Sequence, residues 1–212
     1  MYIGRKIVVG NKLLRAAANK IAIRLNSYSN VEGLEFTKMV IGIEAFIINV
    51  VKLLIIYLLA AILGVIPSTL VIHGAFALIK RYSLGLHALS VTMCAVVSCL
   101  LLVIVPWLLQ GVTINNIVVV SAFAPIMFSL YLFAPADTKA RPLIGKKLRT
   151  SHKRKTLICG ALLLGITLLI PNESVKFLLT LGAVYQVIAI LPLTYKILKR
   201  SEKNYEKFEQ RA

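Results

Sequence analysis

A histidine and a cysteine stand seven residues apart in this chain. They lie in the run Lys80-Arg81-Tyr82-Ser83-Leu84-Gly85-Leu86-His87-Ala88, followed by Cys94. A cysteine is a useful nucleophile only as thiolate, and a neighbouring imidazole can take its proton or stabilise the anion. A spacing of seven puts both side chains on one face of a helix, but ~10.5 Å apart along a straight axis. That is beyond the hydrogen-bond reach a dyad needs. The pair can act together only if the chain bends between them or His87 sits on a loop that folds back, and Gly85 permits such a turn. On residue types alone the bland reading is the stronger one: Cys94 as a small apolar helix residue, His87 as an interfacial side chain.

Other ionisable residues fall in apolar stretches, where they are costly and mark function by default. Glu44 and Lys52 are eight residues apart, two turns along a helix and about 80° around it. They pair loosely, or Glu44 orients His87, or Glu44 makes an interhelical hydrogen bond, which is the plainer reading. Asp137 is the single acid of the basic stretch 135–155. It orients His87 or caps structure after Pro135. His73 is a rival partner for Cys94, ranked below His87, and solvation suffices to explain His152. Cys99 and Cys159 are expected to pack. The three cysteines form no CxxC or Cys/His spacing, so no metal, cofactor or disulfide framework is expected.

The elements that must position these groups are membrane helices. Hydrophobic residues make up 58% of the 212 and charged ones 16%, against about 45–50% and 25% in a soluble domain. Stretches 39–66, 88–109, 112–134 and 175–198 are long enough to cross a hydrocarbon core of about 30 Å. Stretches 70–79 and 157–170 are apolar but short, suiting re-entrant segments or sheltered spans. The predicted fold is therefore an all-α polytopic membrane helix bundle with four to six transmembrane segments. Residues 1–26 predict an amphipathic helix, with Ile3, Ile7, Leu14, Ala18, Ile21 and Leu25 on one stripe and Arg5, Lys12, Arg15 and Lys20 opposite. It either lies in the membrane interface or packs on the protein's cytoplasmic face. No cleavable signal peptide is expected, because charges recur from Arg5 to Arg24.

Cytoplasmic loops hold the excess of Lys and Arg. With six crossings and the N-terminus inside, the inner segments are 1–38, 80–81, 135–155 and the tail after Tyr195. They carry seven, two, eight and six basic residues, 23 of the 25 in the chain. Four crossings would put 80–81 and 135–155 outside, which the charge rule disfavours. The expected division is a cytoplasmic, interfacial segment 1–38, a transmembrane unit 39–198, and a basic cytoplasmic tail 199–212. Both ends are expected in the cytoplasm. The net charge of +17 is thereby assigned to anionic lipid and cytoplasm, and no nucleic acid is expected.

The run Leu78-Ile79-Lys80-Arg81, Gly85-Leu86-His87-Ala88 and Cys94 resembles the core motif of the accessory gene regulator B family, bacterial membrane peptidases of quorum sensing. Ala134-Pro135-Ala136-Asp137-Thr138-Lys139-Ala140-Arg141-Pro142-Leu143 is similar to that family's basic Ala-Pro-Ala-x-Thr-Lys-x-Lys-Pro-Ile loop, and Ile41-Gly42-Ile43-Glu44 with Lys52 is a weaker match. The order, spacing and length agree over essentially the whole chain. Leu84-Gly85-Leu86 departs from the Gly-Gly-Tyr that many relatives carry, which puts substrate fit in question and spares the histidine and cysteine.

The resemblance implies a cysteine endopeptidase of the cell membrane with His87 and Cys94 as its dyad. It would cleave a short precursor peptide with an amphipathic leader and an acidic C-terminal region. The acyl-enzyme thioester would then pass to a thiol of the same peptide, giving a cyclic thiolactone autoinducer. Lys80, Arg81, Gly85, Lys139 and Arg141 are the expected substrate-binding residues, and Glu44 or Asp137 the orienting acid. A homodimer is what the family suggests, with Gly160 and Gly165 permitting close helix contact. The competing class is a non-enzymatic small transporter or peptide exporter. Such a protein is expected to place polar groups near mid-bilayer and to show internal repeats.

Overall fold

The computed structural model describes residues 12–86, 91–138, 142–201 and 204–209, and these are helical almost throughout, with no strands among them. Helix α1 spans Lys12–Ser29, α2 Gly33–Ile62 and α3 Ile66–Ser83. Helix α4 (Val91–Cys99) runs through a π-helical turn (Leu100–Ile104) into α5 (Val105–Leu108). Then follow α6 (Asn116–Phe133), α7 (Lys146–Leu169), α8 (Glu173–Ile190), α9 (Pro192–Ile197) and α10 (Asn204–Glu209). The chain is an all-α helical membrane bundle.

Local chemistry sets the helix ends. Asn115 and Asn172 cap α6 and α8, accepting from the backbone N–H of Val118 at 3.0 Å and Val175 at 3.1 Å. Pro192 at the first position of α9 separates it from α8, so the stretch 175–198 is two helices rather than one. The Asn26 side chain holds the α1–α2 turn, accepting from the Val31 N–H at 2.9 Å and donating to the Val31 carbonyl at 3.0 Å.

Helices α2, α6 and α8 are each long and apolar enough to cross a membrane. The two stretches that were expected to be short are parts of full helices. Helix α3 has 18 residues, about 27 Å, and α7 has 24. Their apolar runs looked short because Lys80 and Arg81 close α3 and the basic segment from Lys146 to Lys155 opens α7.

The packed centre comprises α3, α6, α7 and α8. Ala75 and Ile79 of α3, Phe123 and Leu130 of α6, Leu163 of α7 and Ala183 of α8 meet there, all buried. Gly182 lets α3 and α8 touch: a Cβ on it would lie 2.7 Å from the Ile72 carbonyl oxygen and 2.8 Å from the Ala75 Cβ. Gly160 is used inside the chain, where a Cβ would lie 2.7 Å from the Met127 sulfur, while Gly165 has open space beside it. Gly160 is thus committed to the α6–α7 contact rather than to a second copy.

Helix α1 packs against α2 along Ala18 and Ala22, both fully buried, while Ile21 and Leu25 of the predicted stripe stay exposed. One edge of this helix touches protein, and the described remainder of its apolar stripe is solvent-accessible. Residues 1–11, including Ile3 and Ile7, lie outside the described residues.

Candidate functional site

The chain leaving α3 is clamped from two sides. Leu84 has φ +58° and Gly85 φ +102°, the left-handed region that costs any residue with a Cβ. The Gly85 N–H donates to the Ala136 carbonyl at 2.9 Å, and the Ala136 N–H donates to the Ser83 carbonyl at 2.9 Å. These bonds form a parallel bridge between Leu84 and Ala136. On the other side the Leu86 N–H donates to the Ala189 carbonyl at 3.1 Å. A Cβ on Gly85 would press to 3.0 Å on that same carbonyl oxygen. Helix α8 adds Gln186, fully buried, whose Nε2 donates to Ser83 Oγ at 2.7 Å and to the Leu84 carbonyl at 2.8 Å. Helix is therefore broken at 84–86. His87 follows directly and lies outside the described residues.

Cys94 sits on the second turn of α4, partly buried. It lines a cavity of about 840 Å³ between α2, α3, α4 and α8, together with Lys80, Arg81, Gly85 and Leu86. Four expected site residues, Lys80, Arg81, Gly85 and Cys94, thus share one chamber. Its other polar groups include Lys52, His73, His152 and Arg200, and the described residues that line it include no Asp or Glu. The Lys80 ammonium lies 4.7 Å from the centroid of the Phe76 ring and within electrostatic reach of Cys94. The chamber can hold an extended peptide against a thiol under a positive potential.

The remaining candidates either lie outside the chamber or are held by other partners. Cys99 packs into the smaller core beside Ile56 and Leu102, and neither it nor Cys159 lines the chamber. His73 reaches the chamber but is bonded through Nδ1 to the Tyr57 hydroxyl at 2.9 Å. His152 is held by the Tyr82 carbonyl at 3.0 Å rather than simply solvated. Glu44 is buried away from the chamber, its Oε1 without a hydrogen-bond partner among the described residues. Its expected interhelical bond is not among the described contacts.

Asp137 is a capping group. Its Oδ1 accepts from the Asn204 N–H at 2.9 Å and its Oδ2 from the Tyr205 N–H at 2.8 Å, while Tyr195 Oη donates to its carbonyl at 3.0 Å. The tail is fastened again at Arg149, whose Nη1 meets Glu209 Oε1 at 2.6 Å and whose guanidinium lies 4.0 Å from the Tyr205 ring centroid. The hydrogen bond from Arg149, with one from the Gly145 N–H, holds the Glu209 carboxyl below its ordinary range. Lys139 and Arg141 lie outside the described residues, so their expected contact with substrate has no counterpart in this geometry.

Gln186 and Tyr195 carry much of this arrangement and neither was singled out in the sequence. Gln186 had a signal: an amide inside the apolar stretch 175–198 must be satisfied within the protein. The fold-back of the tail had none, because a basic tail beside a basic loop suggests repulsion.

The sequence model of accessory gene regulator B matches residues 18–190. The chain belongs to the accessory gene regulator B family. An AgrB-like protein of Clostridium acetobutylicum is 36% identical over 200 residues, covering 94% of this chain and 96% of its own. An AgrB-like protein of Listeria monocytogenes serotype 4a is 42% identical over 174 residues, 82% of this chain and 85% of its own. The accessory gene regulator protein B of Staphylococcus intermedius is 30% identical over 183 residues, 85% of this chain and 95% of its own. No solved structure matches the chain. AgrB membership gives this membrane protein a role in agr quorum sensing.

Proposed function

We propose that this AgrB-family protein is a membrane cysteine endopeptidase that cuts a short precursor peptide and closes its N-terminal part into a thiolactone. The observation that supports this most is the shared chamber, where Cys94 faces Lys80, Arg81 and Gly85. The clamped segment 83–86, whose Gly85 and Leu86 line that chamber, immediately precedes His87 in the sequence.

In this reading His87 takes the Cys94 proton and the thiolate attacks a backbone carbonyl of the precursor. The C–N bond breaks, the proton passes to the leaving amine, and a thioester to Cys94 remains. A thiol of the bound peptide then attacks that thioester, the new C–S bond closes the ring, and Cys94 regains a proton. Thioester exchange is nearly balanced, so the acyl group keeps its activation, and a chamber sheltered from water limits hydrolysis. The distribution of 23 of the 25 Lys and Arg residues favours six crossings with both ends in the cytoplasm, where a newly made precursor arrives. The basic loop 135–155 and Lys80–Arg81 then face the acidic part of that peptide.

The test is co-expression with the candidate precursor and replacement of Cys94 by Ala. Loss of cleavage at normal membrane levels is expected. Unchanged processing would end the peptidase reading and leave the exporter class in its place.

A further inference from the structure

Lys52 stands in the apolar helix α2 and faces the same chamber as Cys94. No ion-pair partner for it occurs among the described residues. Glu44, two turns away on α2, is no counter-ion, since it does not line the chamber and its Oε1 is buried unpartnered. Lys52 lies instead within electrostatic reach of two further basic groups, His73 and Lys80. All three line the chamber, whose described walls offer no carboxylate. An ammonium in a lipid-embedded helix is costly without an anion beside it. Here its described neighbours in the chamber are basic as well, so an anionic ligand is the group that completes the site.

We propose that this chamber contains a carboxylate subsite, built by Lys52, His73 and Lys80, that holds an acidic side chain of the peptide substrate. The assignment rests on the peptidase reading. The Tyr57 hydroxyl occupies His73 Nδ1 at 2.9 Å, which leaves Nε2 to meet the ligand beside two ammonium groups. The ligand is a peptide carboxylate rather than a free phosphate because this pocket is continuous with the Cys94 thiol. The acidic residue stands close in sequence to the bond that Cys94 attacks, because the subsite and the thiol line one chamber.

The experiment uses the full chain in phosphatidylcholine nanodiscs with Cys94→Ala, so that a fluorescent precursor binds without being cut. Lys52→Met is expected to weaken binding by at least about tenfold, the worth of a lost charged hydrogen bond, while Lys52→Arg retains most of it. A precursor whose acidic residue at that position is changed to its amide binds more weakly to the parent. It loses nothing further with Lys52→Met. Equal binding of parent and Lys52→Met overturns the subsite, as do equal penalties for the amide in both backgrounds. A Lys52 effect seen only when phosphatidylglycerol is added assigns the site to a lipid headgroup and also overturns it. Processing by the Cys94-containing protein separates the two claims. If Cys94→Ala abolishes cleavage while Lys52→Met leaves it intact, the subsite alone fails; if Cys94→Ala still cleaves, the peptidase reading fails.

Discussion

The chamber has two unlike walls. On the α3–α8 side the helices interlock, with half of the apolar window of α8 buried, against 11% for α2 on the other side. The α8 wall carries buried Gln186 and the close contact at Gly182, whereas α4 leaves Met93, Val96 and Val97 exposed. In lipid an apolar face gains little by touching another apolar face, so tight packing comes from small residues and satisfied polar groups. The α3–α8 wall has a small residue at its contact, Gly182, and the two hydrogen bonds donated by Gln186 Nε2. The comparison teaches that the segment entering His87 is held rigidly, while the helix bearing Cys94 is only lightly tied to the rest.

If that division is real, substitutions on the two walls should fail in different ways. Cys94→Ala should remove processing by about a thousandfold or more without lowering the amount of folded protein in the membrane. Quantitative immunoblotting beside a cleavage assay checks both, and a drop in folded protein would blur the contrast between the walls. Gly182→Leu should do the opposite and lose the fold. Its side chain would drive into the Ile72 carbonyl, an overpacking that costs about 1–3 kcal/mol or more, read as lost membrane protein and a lowered unfolding temperature in detergent.

Gln186→Leu should fall between these. It removes the hydrogen bonds to Ser83 Oγ and the Leu84 carbonyl, about 1–3 kcal/mol, while Ser83 Oγ keeps its bond to the Ile79 carbonyl. Cleavage should fall mainly in kcat rather than KM, because the segment before His87 is no longer fixed. A change in KM alone would mean that Gln186 touches substrate instead.

Smaller effects belong to the tail. Asp137→Ala removes the cap of α10 and should cost about 1 kcal/mol, seen as faster proteolysis after Tyr195. The Arg149–Glu209 pair should make that protection pH-dependent. Because the folded carboxyl of Glu209 is held below its ordinary range, its contribution is complete above the ordinary Glu value. It fades as pH falls through the lower folded value. A protease titration should show that loss, and Arg149→Met should flatten it.

Much of this was legible in the sequence for definite reasons. Apolar length placed α2 and α6, while the full lengths of α3 and α7 were hidden because charged residues interrupt their apolar runs. The chamber was legible through Lys80, Arg81, Gly85 and Cys94 once the family resemblance singled them out, with Gly85 permitting the turn that spacing required of a working pair. Asp137 was not, since nothing local distinguishes an acid that caps a helix 67 residues away from one that orients an imidazole. Glu44 was singled out for its charge, but a buried carboxylate's partner depends on which helices become neighbours, and no local pattern carries that.

Adjacent residues 136 and 137 hold two distant parts of the chain. Ala136 accepts the Gly85 N–H, and Asp137 next to it accepts the first turn of α10. Tension on the C-terminus is therefore transmitted through a single peptide unit to the strand that enters the reactive segment. A fluorescent or epitope fusion at that end is not a neutral label, and a function measured on such a fusion reports the pull of its cargo as well as the protein's own behaviour.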